Sequence, residues 1–214
     1  MNKHTIFWDV DTQFDFMRPE GKLYVPGAEE IVGKVSEVRK FAFDNGFSMI
    51  ADVDWHSTDN NEISESPDFK QTFPPHCMAG STGSERIGYL GELPIDYIEM
   101  DELSKEALQK LIDKEQFHIV IRKESIDAFD NLNTRRLVEL VKPMAMVVFG
   151  VALDFCVYYV LRGLARYPGI KLYLLKDAIK SLETRPDEEI FDELKKMGVE
   201  ITEFSDFKRK LQCG

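Results

Sequence analysis

The run "MAMVVFGVALDFCVYYVLRGLAR" (Met144–Arg166) determines the fold class. Its first part, 144–150, is a short, continuous apolar stretch rich in Val and Met. Strands buried on both faces have this composition, whereas a half-exposed strand would alternate. From Asp154 to Arg166 the residues are apolar nearly all round, the pattern of a buried helix. A buried strand running directly into a buried helix is half of a parallel βαβ unit. Cys156 then falls where the strand gives way to the helix. A free cysteine ordinarily packs as a small hydrophobe. With Asp154 as N-cap, however, the thiol would sit in a helix's first turn, where unpaired N–H groups and the dipole lower its pKa.

The same unit recurs on both sides of this run. "TIFWDV" (5–10), "FSMIAD" (47–52), "FHIVIR" (117–122), "IKLYLL" (170–175) and "VEIT" (199–202) read as further strands. Helical patterns fill the gaps over 28–45, 104–114, 133–142 and 186–197. Asn45-Gly46 stops the first of these. The last carries Pro186, Asp187, Glu188 and Glu189 in its first turn and Lys195 and Lys196 in its last. The expectation is a three-layer, Rossmann-like α/β fold. Its six-stranded, mainly parallel sheet has the order 3-2-1-4-5-6, with helices on both faces. One domain spans 1–214. A long insertion at about 53–100, with "DYIEM" as a possible extra strand, is of the size that usually serves a function.

Bulk properties narrow the function. The chain has 214 residues, 43% of them apolar, and a net charge of −11. The acidic balance argues against nucleic acid and against anionic membrane surfaces, both of which attract basic patches. Three unevenly spaced cysteines, Cys77, Cys156 and Cys213, do not make a disulfide framework. No apolar run reaches the length of a membrane span, and the reducing cytoplasm is the expected location.

In open α/β sheets, ligands bind beyond the carboxyl ends of the strands. The residues there are Asp9, Asp11 and Asp15 after the first strand, and Asp52, Asp54 and His56 after the second. Lys123, Cys156 and Asp177 follow the third, fourth and fifth. Each alone reads as an ordinary turn or surface residue. Together, a carboxylate, a lysine and a cysteine on one sheet edge could attack a carbonyl: the thiolate adds, the carboxylate shuttles its proton and the cation steadies the charge. His4 and His118 fall at the opposite end, so no Cys–His dyad forms. Asp54 and His56, two apart, share one side of an extended segment. "FPPHC" brings His76 on a stretch stiffened by Pro74 and Pro75. Two imidazoles plus carboxylates suit a divalent transition metal.

The ordered motifs "DTQFDF", "YVPGAE", "DWHSTDNNE", "FPPHCMAGSTGSE", "RKESIDAF" and "GVALDFCV" resemble the isochorismatase-like cysteine hydrolases, most closely the nicotinamidases. The resemblance covers Thr5 to about Val199. It implies a catalytic triad of Asp11, Lys123 and Cys156, with the N–H groups of Ala152 and Cys156 as an oxyanion hole beside a cis Val151–Ala152 peptide. It implies a metal site of Asp54, His56 and His76 with Glu62 at the fourth position, taking zinc first, or manganese or iron. Phe16 and Phe73 would sandwich a pyridine ring. The implied reaction is hydrolysis of nicotinamide to nicotinate and ammonia through a cysteine thioester. The expected partners are a small amide and further copies of the chain in a homo-oligomer. Asp127 departs from the family pattern and would put a carboxylate near the substrate. Three other readings stand beside this one: a family enzyme acting on another small amide, imide or ester; a binding protein that kept only the fold; and a hydrolase in which metal-bound water attacks directly.

Overall fold

In the computed structural model, residues 5–213 are described, with side chains through residue 212; His4 and the Cys213 thiol lie outside the described part. Among the described residues there are seven strands: β1 (Thr5–Val10), β2 (Ser48–Asp54), β3 (Ile95–Ile98), β4 (His118–Lys123), β5 (Ala145–Val151), β6 (Lys171–Lys180) and β7 (Val199–Thr202). They form one sheet in the order β3-β4-β2-β1-β5-β6-β7, and every pairing is parallel. The six strands read from sequence keep their expected order. The sheet has seven strands rather than six, because the "DYIEM" segment supplies β3 at the edge beside β4. Edge position explains its weak signature: Ile98 is buried but Tyr97 is half exposed, so no continuous apolar run marks it.

Among the described residues, seven α-helices accompany the sheet: α1 (Phe14–Met17), α2 (Ala28–Asp44), α3 (Lys105–Ile112), α4 (Leu132–Val141), α5 (Tyr158–Leu164), α6 (Asp187–Lys196) and α7 (Phe204–Cys213). Strand alternation sets the two cores. Ile6, Trp8 and Val10 of β1 pack with α3 to α6 on one face, through Leu108, Leu137, Leu161 and Leu194. Phe7, on the other face, meets α2 and α7 through Val35, Val38, Phe204 and Phe207. Helix α7 has no counterpart among the helical patterns read from sequence. Its buried stripe is narrow, and Lys208, Arg209 and Lys210 fill much of the rest.

Two local departures shape the carboxyl edge. The β5–β6 register shifts between Val148 and Gly150, so β6 bulges and continues to Lys180. Asp177 therefore lies inside β6 rather than beyond its end, where it accepts the Phe204 N–H at 2.8 Å. Beyond β5, Leu153–Val157 forms a π-helical turn before α5, in which the Val157 N–H reaches the Ala152 carbonyl at 3.2 Å. Asp154 does not cap it. Its carboxylate takes the Leu182 and Thr184 N–H groups at 3.0 and 2.9 Å instead.

Gly150 sits at the register shift with φ 121°, and a Cβ there would meet the Val10 carbonyl oxygen at 2.0 Å. The β1 and β5 backbones can approach this closely only without a side chain, and both run straight into the site. Gly150→Ala combines overpacking with a forbidden backbone angle and is expected to cost about 3 kcal/mol or more, or roughly 10 °C in Tm. A thermal melt checks this, and an unchanged Tm would contradict the close-approach role.

Candidate active site

Four strand ends converge on one pocket. Asp11 follows β1 in a left-handed turn (φ 45°), and its N–H is tied to the Asp52 carbonyl at 3.1 Å. Asp54 and Lys123 end β2 and β4, directly opposite each other in register. Cys156 lies in the π-helical turn after β5. All four side chains are buried, Lys123 and Asp11 to 1% exposure. Lys123 Nζ lies 2.9 Å from Asp11 Oδ2, an ion pair without hydrogen-bond alignment, and 3.6 Å from Cys156 Sγ. It also donates to Asp54 Oδ1.

The electrostatics follow from this packing. Burial pushes the Asp11 carboxyl well above the usual range; Lys123 opposes the rise, and Asp54 and Asp52 add to it. Burial also pushes the Cys156 thiol up, assisted by nearby Asp11 and opposed by Lys123. Burial alone would lower Lys123, but Asp11 and Asp54 override it and hold the ammonium well above its ordinary value. A thiol with a high pKa beside a carboxylate and a fixed cation is suited to passing its proton locally as it attacks.

Beside these groups, Asp54, His56 and His76 bring one ligand atom each within 4.8 Å of one another. Asp54 Oδ2 lies 3.3 Å from His76 Nε2 and 3.5 Å from His56 Nε2. His76 Nδ1 is 2.8 Å from the Pro74 carbonyl, which leaves Nε2 aimed at the cluster. Both ring nitrogens of buried His56 lack a hydrogen-bond partner. Orphaned polar atoms are costly in a protein interior, so His56 fits a ligand better than a packing residue. Glu62 stands outside the tight trio: its Oε2 is 3.9 Å from His56 Nε2 and has no hydrogen-bond partner. Asp54, His56 and His76 thus fit a divalent metal by donor type and spacing.

The pocket has about 350 Å³ of empty space, part of it open to solvent. Asp11, Cys156, Asp54, His76 and Glu62 line it, as do Phe16, Phe73 and Ala152. The Val151–Ala152 peptide is cis. Phe16 and Phe73 both stand edge-on to the His76 ring, at 5.4 and 6.1 Å between centroids. Other strand-end residues take structural roles. Asp9 pairs with buried Arg39 and with Arg86, and Asp52 accepts the Trp8 indole N–H. Asp127 does not line the pocket: it accepts the Phe129 N–H at 2.9 Å and faces Arg162 at 3.4 Å. His118 packs 3.0 Å from Arg86, away from the pocket lining.

Two supporting residues lie in "DTQFDF": Asp15, already singled out beyond the first strand, and Gln13, which carries no individual signal in the sequence. The Gln13 side chain takes the Asp54 N–H at 2.8 Å and donates to the Asp54 carbonyl at 2.7 Å, clamping the end of β2. Asp15 accepts the Cys77 N–H at 2.7 Å and so fixes the backbone next to His76.

A buried Cys–Asp–Lys constellation beside a metal-ligand trio, at the carboxyl edge of a parallel sheet, defines a cysteine hydrolase site. The isochorismatase domain family matches residues 99–206, half of the chain, which include Lys123 and Cys156. The chain belongs to that family. Yeast (Saccharomyces cerevisiae) nicotinamidase is 21% identical, covering 91% of this chain and 97% of the yeast protein. The crystal structure of Pyrococcus horikoshii pyrazinamidase in complex with zinc superposes with TM-score 0.74 at 23% identity, covering 94% of this chain and 99% of that one. L. infantum PnC1 in complex with nicotinate gives TM-score 0.71 at 22% identity, covering 96% and 95%.

Because the Lys123 ammonium favours the thiolate, Lys123→Met is expected to slow alkylation of Cys156 by iodoacetamide at neutral pH by about tenfold or more. Peptide mass mapping separates Cys156 from Cys77. An unchanged rate would remove the ammonium from that role.

Proposed function

We propose that this chain hydrolyses nicotinamide to nicotinate and ammonia, with Asp11, Lys123 and Cys156 as the catalytic group. The observation that carries the proposal is the meeting of Asp11, Cys156, Asp54 and His76 in one pocket, with Lys123 and His56 packed directly against them. The likeness to nicotinamidase over nearly the whole chain gives the substrate.

Asp11 takes the thiol proton as Sγ adds to the amide carbon. The N–H groups of Ala152 and Cys156 hold the resulting oxyanion. Asp11 then gives the proton to the departing nitrogen, ammonia leaves, and the acyl group remains on sulfur as a thioester. Asp11, again a carboxylate, draws a proton from water as its oxygen adds to the thioester. Collapse returns the proton to sulfur and releases nicotinate. Lys123 stays charged throughout and offsets the negative charge that passes between Asp11 and Cys156. Phe16 and Phe73 hold the ring. A divalent metal held by Asp54, His56 and His76, with Glu62 beside them, would supply a Lewis-acid site toward the ring nitrogen. Zinc is the proposed ion, consistent with the zinc-bound Pyrococcus horikoshii relative. The free thiols of Cys77 and Cys156 suit a reducing, cytoplasmic setting.

Cys156→Ala is expected to abolish turnover while the circular dichroism spectrum and Tm stay near wild type, since alanine fills most of the thiol's space. A well-folded Cys156→Ala protein that keeps its activity would instead support attack by metal-bound water. Nicotinamide should exceed benzamide by one to two powers of ten in kcat/KM. The two differ only at the ring nitrogen, and a lost polar contact in a dry pocket costs ~1–3 kcal/mol. Equal rates would remove the nicotinamide assignment. Elemental analysis is expected to find one divalent transition ion per chain, lost in the His56→Ala/His76→Ala double variant. Full metal retention in that variant would move the site elsewhere.

A further inference from the structure

The side chain of the proposed base is not anchored by hydrogen bonds of its own. Neither oxygen of the Asp11 carboxylate has a hydrogen-bond partner, and its contact with Lys123 is an ion pair, which sets distance more than direction. Direction must therefore come from the backbone. Asp11 stands in a left-handed turn, φ 45°. That conformation costs most residues roughly 1–2 kcal/mol, so it persists only where its surroundings hold it.

The next residue supplies the hold. Thr12 is buried, and both functions of its hydroxyl are committed: it donates to Asp9 Oδ1 at 3.0 Å and accepts from Arg39 Nη2. The Thr12 carbonyl accepts the Ile87 N–H at 3.0 Å. Behind Thr12 lies an ion cluster assembled from separate parts of the chain. Arg39, on α2, donates Nε to Asp9 Oδ2 at 2.8 Å, and Arg86, in the segment between β2 and β3, donates to the same oxygen. Arg39 also donates to the Ile87 and Tyr89 carbonyls. Burial and the nearby Arg86 push His118 down to about 3, so its ring is neutral and Nε2 accepts from Arg86 at 3.0 Å. Asp9, Thr12, Arg39, Arg86 and His118 do not line the pocket. Core filling alone does not call for such a cluster, since apolar residues of similar volume fill a core as well or better.

We propose that Thr12, held by the Asp9–Arg39–Arg86 cluster, positions the Asp11 carboxylate for proton exchange with Cys156. Thr12 and the cluster are positioning residues, because they act through the Asp11 backbone and not on the substrate. What Asp11 does with its proton rests on the amidase reading of the site; how Asp11 is aimed rests on the geometry of the turn.

Thr12→Val keeps the shape of the side chain and removes the hydroxyl. With nicotinamide as substrate, kcat is expected to fall at least about tenfold while KM and bound-metal content stay at their wild-type values, since the ring site and the histidines are untouched. The solvent deuterium isotope effect on kcat should rise, because a displaced base makes proton transfer the slower step. Thr12→Ser restores the hydroxyl and should recover most of the rate. Arg39→Lys keeps the charge but replaces the fork with a single ammonium, and is expected to lower kcat with KM unchanged. Crystal structures of the Thr12→Val and Thr12→Ser proteins read the position without turnover: the carboxylate should leave Lys123 Nζ in the first and stay beside it in the second. An unmoved Asp11 in Thr12→Val, or full kcat in both Thr12→Val and Arg39→Lys, overturns the positioning role. So does a loss of kcat that comes with loss of metal or that Thr12→Ser fails to restore, the mark of a general packing defect. Absence of wild-type turnover on nicotinamide, with Asp11 displaced in the Thr12→Val crystal, overturns the proposed reaction and leaves the positioning role standing.

Discussion

The site is organised around a buried ammonium. Lys123 Nζ sits among the Asp11 carboxylate, the Asp54 carboxylate and the Cys156 sulfur, with almost no access to water. A lone charge placed so deep would be very costly, and so would either carboxylate without it. The three anionic partners come from different strands, and the strand order decides which lysine can serve them all. In the sequence of neighbours β4-β2-β1-β5, Lys123 stands opposite Asp54 on the adjacent strand and reaches past it to Asp11. A long, flexible stem makes that reach possible, and a parallel sheet puts every one of these residues at the same end. The fold is thus what lets one cation lie beside the Asp11 and Asp54 carboxylates and the Cys156 sulfur together.

The carboxylates flanking that ammonium divide their oxygens between two tasks. Asp54 turns Oδ1 to Lys123 and Oδ2 to His76 and His56, so it links the histidine cluster to the lysine. Burial raises the Asp54 carboxyl, but Lys123 and then the two histidines more than reverse this and hold it well below the usual range. Its backbone is clamped on both sides by the Gln13 amide. The long segment between β2 and β3 is fixed by similar means. Asp15 grips Cys77, Gln13 also donates to the Ser84 carbonyl at 3.0 Å, and buried Arg39 donates to the Ile87 and Tyr89 carbonyls. This segment carries His76, Glu62 and Phe73, and backbone contacts from two rigid elements give it the precision of a strand end.

Most of the framework was legible because strands buried on both faces leave long Val- and Ile-rich runs. The same physics hid β3, which is covered on one side only, and α7, whose apolar stripe is thin. Asp11, Lys123 and Cys156 fall at or shortly beyond the carboxyl ends of buried strands, where a polar residue has no packing reason to be, and the family resemblance singled out Asp11 among the carboxylates there. Applied to Asp177, that rule failed, since the β6 bulge carries the strand onward to Lys180. Asp154 was misread as a cap because a π-helical turn and a helix start look alike in sequence. The pocket wall was illegible for a simpler reason. Leu23, Leu182 and Ile126 are apolar residues in irregular segments, and composition cannot separate residues that pack into a core from those that face a cleft.

The contrast between floor and wall has a chemical consequence. In the proposed reaction Asp11 and Cys156 exchange a proton while Lys123 stays fixed, and the exchange responds to the dielectric around it. Hydrocarbon at Leu23, Phe155 and Leu182 lowers the polarity beside Cys156, which strengthens the field of Lys123 at the sulfur. A polar wall would admit water and weaken that field.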